Sequence, residues 1–312
     1  MTNTGAKVFE IRDPLSYVSL RIRMYFNTEE LAVGTAFVYL YNEKPYLVTN
    51  WHNVSGREPS TLIAKHSQLA LPNQFCVEIP FVSLNQENFS ISWEPHPVLI
   101  YRDHGDSPTE AIWYEHPEHG YKVDVIAIPV DEDGVFSPLK SIWYEQTNTQ
   151  SKSEHTVSSR TTAICAVNDP SLNLKKVRLR PSLDVFILGF PTGMSGGGNF
   201  PVWKRGSIAS EPDLDIDGLP KMFIDTATRK GMSGAPVYVQ QTGRWLSEEK
   251  DNLGNFQQVL GEGRRFIGVY SGRVGDDNFQ AQLGIVWKPS TIEEVIQSST
   301  IGKSSFDLSP LP

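Results

Sequence analysis

The sequence is poor in cysteine and lacks a long apolar run. Its two cysteines, Cys76 and Cys165, allow at most one disulfide, and their spacing fits no metal-binding motif. No apolar stretch approaches the roughly 18 residues of a membrane span, and the N-terminus lacks a basic start followed by an apolar run. We therefore expect a reduced, cytoplasmic protein with no secretory signal and no transmembrane segment.

Basic residues are outnumbered by acidic ones. The chain carries 28 lysines and arginines against 36 aspartates and glutamates, a formal net charge of −8. Phosphate backbones and anionic lipid headgroups repel such a protein, so we expect neither nucleic acid nor membrane as a main partner. Hydrophobic residues make up 39% of the 312 residues, which indicates a folded chain with a sizeable core.

Helix signals are also scarce, and short runs of alternating apolar and polar residues take their place. About a dozen such runs, separated by turn residues, predict an all-β fold of the sandwich or barrel type. One helix is expected in the tail, from Thr291 to about Ser298. Ser290 and Glu293 have the spacing of a capping box at its start.

Three polar segments interrupt this pattern. Glu145–Arg160, rich in Ser, Thr and Gln, is the expected linker between two β-rich halves, residues 1–150 and 151–312. His104–Gly120 and Ser247–Gly263 are expected to be surface insertions on this frame.

The stretch Gly231-Met232-Ser233-Gly234 has the form of a serine nucleophile in a glycine-hinged turn before a β-strand. A serine hydroxyl needs a base to take its proton and donors to hold the oxyanion that forms. Because Gly231 has no Cβ, the backbone can bend until its N–H and that of Ser233 point at one position. Gly234 is expected to leave room for substrate. The tetrapeptide recurs around Ser195, so the partners of the serine must decide between the two copies.

One histidine and one carboxylate fit the partner roles. His52 directly follows an apolar strand, which is a rigid mount for a general base, whereas the other six histidines lie in polar contexts. Asp124 lies in an otherwise apolar run, where a charge is costly unless it is paired. Pairing with His52 would fix the imidazole tautomer and stabilise the imidazolium. Asp103 and Asp106 are alternative acids, and a core or surface role for an isolated histidine is the rival interpretation.

Three motifs in the order His, Asp, Ser resemble those of the trypsin-like serine peptidases of chymotrypsin fold. The similarity is greatest to the bacterial HtrA-like branch, which lacks disulfides. The motifs are Thr49-Asn50-Trp51-His52-Asn53-Val54, Val123-Asp124-Val125-Ile126-Ala127-Ile128 and Gly231-Met232-Ser233-Gly234-Ala235-Pro236-Val237. With gaps, the resemblance runs from about Val33 to Val295. It implies two six-stranded antiparallel β-barrels with the active site in the cleft between them, followed by a short C-terminal helix.

The resemblance also implies residue roles. Residues 1–150 would form the barrel that carries His52, the general base, and Asp124, its orienting carboxylate. Residues 151–312 would carry the nucleophile Ser233, whose N–H would form the oxyanion hole with that of Gly231. Chain order leaves Ser195 in a turn. No cofactor and no metal are implied.

Six residues are expected to contact substrate: Ala227, Arg229, Ser271, Gly272, Arg273 and Gly284. Ser271 would also support Asp124. Ala227 replaces the acid of the trypsin branch six residues before the nucleophile, so cleavage after Lys or Arg is not expected. Our hypothesis is that Arg273 favours an acidic or polar substrate side chain, since a guanidinium pairs with a carboxylate. The alternative is that Arg273 points to solvent.

Three functions stay open. An active serine endopeptidase is favoured; a pseudoprotease or peptide-binding scaffold with a non-productive triad is the main alternative. An ester hydrolase is disfavoured, because Ser233 lacks a strand-turn-helix context. The expected partner is a protein or peptide substrate, with a regulatory protein or ligand that activates the enzyme as a further candidate.

A loose histidine cluster has metal-ligand chemistry. It consists of His104, His116 and His119 with Glu115 and Glu118. Its spacing matches no metal motif, so a solvated surface loop is expected instead.

Overall fold

The computed structural model describes residues 11–85, 88–104, 107–130, 134–138, 159–174, 176–227, 229–274 and 283–311. The described chain is mostly β-strand, which confirms the all-β prediction. Its strands form two large antiparallel sheets and a separate two-stranded sheet. The boundary expected at residue 150 lies outside the described residues, as does the linker Glu145–Arg160 except for its last two residues.

The first sheet is built almost entirely from the N-terminal half. Its strands are β1 (Ser19–Phe26), β2 (Glu29–Tyr41), β3 (Lys44–Thr49), β4 (Gln74–Asn85), β5 (Asn88–Leu99), β8 (Ile126–Pro129) and β9 (Ser159–Thr162). They lie in the order β5-β4-β1-β2-β3-β8, and β9 pairs with β4. The sheet therefore has seven strands rather than six; as the N-terminal member of the expected pair of barrels, it is termed the first barrel. Strands β6 (Tyr101–His104) and β7 (Ser107–Ala111) form the small sheet.

The second sheet closes into a six-stranded barrel, as predicted. Its strands are β10 (Asp184–Gly189), β11 (Val202–Ile208), β12 (Lys221–Asp225), β13 (Pro236–Lys250), β14 (Phe256–Arg273) and β15 (Leu283–Trp287), in the order β10-β11-β12-β15-β14-β13. Strands β13 and β14 continue past the barrel as a paired arm that includes Ser247–Gly263. That stretch is therefore an exposed insertion on the barrel frame, as its polarity indicated, and most of it is paired strand.

Alternation along the strands sends side chains to separate cores. In β3, Leu47 packs inside the first sheet, and Val48 packs between the two sheets. In β13, Val237 lies inside the second barrel, whereas Tyr238 joins Val48 in the shared core. Successive side chains of a strand point to opposite faces, so both sheets bury apolar residues on two sides. This shared core fixes how the barrels meet, and the functional site lies at their junction.

The tail helix forms as predicted, but the capping box expected at its start does not form. Helix α1 (Trp51–Ser55) follows β3, and helix α2 (Ser290–Ser298) buries Val295 in the shared core. Ser290 makes no capping hydrogen bond, because Pro289 occupies the N-cap position and Glu293 instead accepts the Tyr39 hydroxyl at 2.7 Å. The two α-helices of the described ranges have five and nine residues, both too short for a bilayer span.

Candidate active site

His52 and Asp124 form a buried pair at the edge of the first sheet. The His52 Nδ1 atom lies 2.7 Å from Asp124 Oδ2, and the His52 backbone N–H donates to Oδ1 at 2.8 Å. Only 8% of His52 and 3% of Asp124 is exposed. Because the carboxylate accepts at both oxygens, Nδ1 carries the proton and Nε2 keeps its lone pair.

The pair is held in place by residues from both sheets. The Asn50 side chain, at the turn between β3 and α1, donates to the Asp124 carbonyl at 2.7 Å. From β14 of the second barrel, the Ser271 hydroxyl donates to Asp124 Oδ2 at 2.5 Å. Ser271 thus supports the carboxylate, as the resemblance implied. The position of the His52–Asp124 pair therefore depends on contacts from both sheets.

Ser233 lies on a loop whose shape depends on two glycines. Gly231 has φ +91° and Gly234 has φ +84°, a region that favours glycine. A Cβ on Gly231 would overlap the Phe190 carbonyl, and one on Gly234 would overlap the Thr35 carbonyl. Gly234 therefore allows the first barrel to approach, and the expected role of leaving room for substrate is not the one that its geometry explains.

The first barrel clamps this loop from the other side. The Thr35 N–H donates to the Ser233 carbonyl at 2.9 Å, and the Thr35 hydroxyl donates to the Gly231 carbonyl at 2.9 Å. Asn53 adds a longer bond to the Ser233 carbonyl at 3.3 Å. Thr49 accepts from Asn53 and donates to the Thr35 carbonyl. Thr35 and Asn53 thus hold the nucleophile loop directly, and Thr49 holds these two residues in place.

Two backbone N–H groups beside the nucleophile are left without partners. The Lys230 carbonyl accepts from the Thr192 N–H at 2.6 Å, and in a trans peptide the Gly231 N–H points the opposite way. Among the described residues, neither the Gly231 nor the Ser233 N–H has an acceptor. Unpaired backbone donors are uncommon away from water, so these two are available to a bound oxygen.

The cleft between the barrels brings most of the expected site residues together. It has a volume of about 770 Å³ and is lined by His52, Asp124, Arg229, Gly231, Ser233, Ser271, Gly272 and Arg273, among others. Arg273 is half-buried there, so it does not simply point to solvent. Ala227 and Gly284 are not among the described residues that line it. Ala227 is exposed, and Gly284 is buried against the Tyr270 ring.

The sequence analysis assigned no role to Thr35, Thr49 and Asn53, which hold the nucleophile loop, or to Asn50, which holds Asp124. Their signal was present, because polar residues at the end of an apolar strand need hydrogen-bond partners when buried. Ser195 lies in a loop after β10, where several glycines have positive φ, as its expected turn role requires. Asp106 and the Asp103 side chain lie outside the described residues.

The histidine cluster is not the solvated loop that was expected. Only 7% of Glu115 and 4% of His116 is exposed. His116 Nε2 lies 2.8 Å from Glu294 of helix α2, and its ring stacks on His119. Burial raises the pKa of the Glu115 carboxyl, although the Lys303 N–H and charge partly counter it. In the described ranges, no three His, Cys, Asp or Glu side chains come together as a metal site.

Comparison with known proteins adds structural neighbours only. No family model matches the chain, and no curated protein matches it. Among the solved structures that it resembles are two forms of one protease. The active form of the Rv3671c protease from M. tuberculosis shares 16% identity at a TM-score of 0.39, over 93% of this chain and 83% of that one. Its inactive form gives 16% and 0.38, over 91% and 89%.

The serine endoprotease from Yersinia pestis is a further neighbour. It shares 11% identity at a TM-score of 0.40, and the alignment covers 91% of this chain but 62% of that enzyme. Because these identities and TM-scores are low, we draw the function from the geometry of the cleft.

Proposed function

We propose that this chain is a serine endopeptidase of the trypsin-like kind, with Ser233 as nucleophile, His52 as general base and Asp124 as orienting carboxylate. One observation carries the proposal. A buried His52–Asp124 pair, supported by Ser271, shares a cleft with a serine that is flanked by two unpaired N–H donors. That combination supplies the base and the oxyanion donors that acyl transfer requires.

The chemistry follows from these positions. His52 Nε2 takes the proton of Ser233 Oγ as Oγ attacks the peptide carbonyl carbon, and the C=O electron pair moves to the oxygen. The N–H groups of Gly231 and Ser233 hold that oxyanion. The imidazolium, stabilised by Asp124, gives its proton to the amine as the C–N bond breaks. Water deprotonated by His52 then attacks the acyl-enzyme, and Oγ leaves with the proton.

A second candidate is a latent enzyme or a peptide-binding scaffold. Among the described contacts there is no hydrogen bond between Ser233 Oγ and His52. Such bonds are often long without substrate and tighten only in the complex. If the Ser233–His52 hydrogen bond forms only when a partner or ligand binds in the cleft, the protease is conditional. If the bond never forms, the cleft only binds peptides.

Labelling with a fluorophosphonate probe tests the proposal, since the probe phosphonylates only an activated serine. We expect the wild-type protein to be labelled, Ser233→Ala to lose the label and Ser195→Ala to keep it. Loss in Ser195→Ala alone would move the nucleophile to the glycine loop. No label on the wild type, together with no cleavage of any peptide, would favour the scaffold.

A further inference from the structure

The cleft around Ser233 is rich in basic side chains, although the whole chain carries a net charge of −8. Six basic residues line it: Lys65, Lys122, Lys221, Arg229, Lys230 and Arg273. Among the described residues only two acidic side chains do so, Glu58 and Asp124. Charge of one sign in a cleft with low-dielectric walls focuses the field on whatever enters it.

Both acidic side chains are already engaged. Glu58 accepts from Lys65 at 2.8 Å, and Asp124 is buried against His52 and Ser271. One further cation is also paired, because Lys221 lies 3.1 Å from Asp217 outside the cleft. Acidic partners therefore neutralise only some of the basic residues that line the cleft.

Three of the remaining cations have no acidic partner in the described part of the chain: Lys122, Arg229 and Lys230. Lys122 belongs to the first barrel and precedes Asp124 by two residues, whereas the other two belong to the nucleophile loop. Arg229 and Lys230 are both exposed on the cleft wall. An anion in the cleft would thus meet positive charge from both barrels.

The two loop cations are close to where the substrate carbonyl must lie. Arg229 and Lys230 directly precede Gly231, and consecutive Cα atoms are about 3.8 Å apart, so both Cα atoms lie within about 8 Å of Gly231. A carbonyl held by the Gly231 N–H places its own side chain and those of its neighbours within reach of these long side chains. A carboxylate there would pair with Arg229 in a bidentate manner.

We propose that the substrate is an acidic peptide segment, with Asp or Glu at the residue whose carbonyl is attacked or at either adjacent residue. The proposal rests on the proposed peptidase function and names its substrate class. A basic side chain at these positions would be repelled by the same cations. A glutamine side chain, which has the size of glutamate but no charge, would be neither attracted nor repelled.

Matched peptides test the proposal. Each set carries Glu, Gln or Lys at one of the three positions and is otherwise identical, and kcat/KM is measured by mass spectrometry of the products. We expect Glu to exceed Gln by about fivefold, the scale of an exposed ion pair, and Lys to fall below Gln. Raising the ionic strength should shrink the difference. A preference for Gln or Lys at all three positions would overturn the proposal.

Charge variants identify the residues responsible. In the double variant Arg229→Gln, Lys230→Gln, the ratio of Glu to Gln cleavage should fall toward one. The double variant Arg244→Gln, Lys250→Gln is the matched control, because it removes one exposed guanidinium and one exposed ammonium from β13 outside the cleft, and its ratio should stay at the wild-type value. Equal losses in the two variants would show that net charge, not the cleft, sets the preference.

Binding to Ser233→Ala separates failure of this proposal from failure of the proposed function. Fluorescence anisotropy of labelled, uncleaved Glu and Gln peptides reports charge selectivity without any chemistry, and fluorophosphonate labelling of the wild type reports the nucleophile. If the wild type is labelled but Glu and Gln peptides bind equally, the acidic-substrate proposal is refuted and the peptidase proposal is not. Charge-selective binding without labelling or cleavage refutes the peptidase, while the cleft keeps an acidic peptide as its ligand.

Discussion

Replacing Asp124 by asparagine is the sharpest test of the triad, because it changes one atom of a fully engaged side chain. The carboxylate accepts from His52 N–H, from His52 Nδ1 and from Ser271 Oγ. If the amide oxygen keeps the backbone N–H of His52, the amide –NH₂ faces Nδ1. A flipped amide would instead place two donors 2.8 Å apart at the His52 backbone.

The expected loss follows from the tautomer. An –NH₂ group donates, so Nδ1 must accept and the imidazole proton moves to Nε2. His52 then has no lone pair for the Ser233 proton. A wrong tautomer in a Ser-His-Asp site lowers kcat by about 10⁴-fold, which is about 5.5 kcal/mol of transition-state stabilisation. We expect a loss of that order in cleavage of an acidic peptide, with circular dichroism showing the fold retained.

The control for this change is Asp213→Asn, which makes the same substitution at an exposed position. It should retain wild-type activity. If Asp124→Asn keeps more than about a tenth of the activity while remaining folded, Asp124 does not orient the base, since a wrong tautomer costs far more. Asp103 and Asp106 would then be the next carboxylates to replace.

Three further predictions concern buried groups outside the cleft. Gly302→Ala should cost about 1–3 kcal/mol of unfolding free energy, because its Cβ would overlap the indole of buried Trp113; Ser309→Ala, at an exposed position, is the control in urea unfolding, and equal midpoints would contradict the overlap. Glu115→Gln should change how stability depends on pH. The raised pKa of Glu115 means that its contribution is fully present below its unfolded pKa, near 4.5, and is lost as pH rises through the folded pKa. The wild type should therefore lose stability relative to the variant as the pH rises above about 4.5, and a constant difference in urea midpoint would refute this. Burial raises the pKa of Cys165 to about 12, so iodoacetamide at pH 8 should modify half-buried Cys76 first, and equal rates measured by peptide mass spectrometry would contradict the burial.

The strands could be predicted, and the candidate site residues chosen, because their signals are local. Alternation marks each strand, and an aspartate within an apolar run marks a charge that needs a partner. Local polarity also located the exposed insertion Ser247–Gly263, but it could not show that this insertion is a pair of strands extending beyond the barrel core. Glu115 and His116 have polar neighbours in sequence, yet the fold buries them against the C-terminal region.

By itself, the sequence determined the all-β class, the tail helix and the choice of His52, Asp124 and Ser233 as candidates, since each depends on residues that are near one another in the chain. Tertiary structure decided what lies between distant segments. Only the packing of the two barrels brings Thr35 onto the Gly231 and Ser233 carbonyls, Ser271 onto Asp124, and Lys122 to the same cleft as Arg229. These contacts join residues about 100 to 200 positions apart, a separation that local periodicity cannot encode.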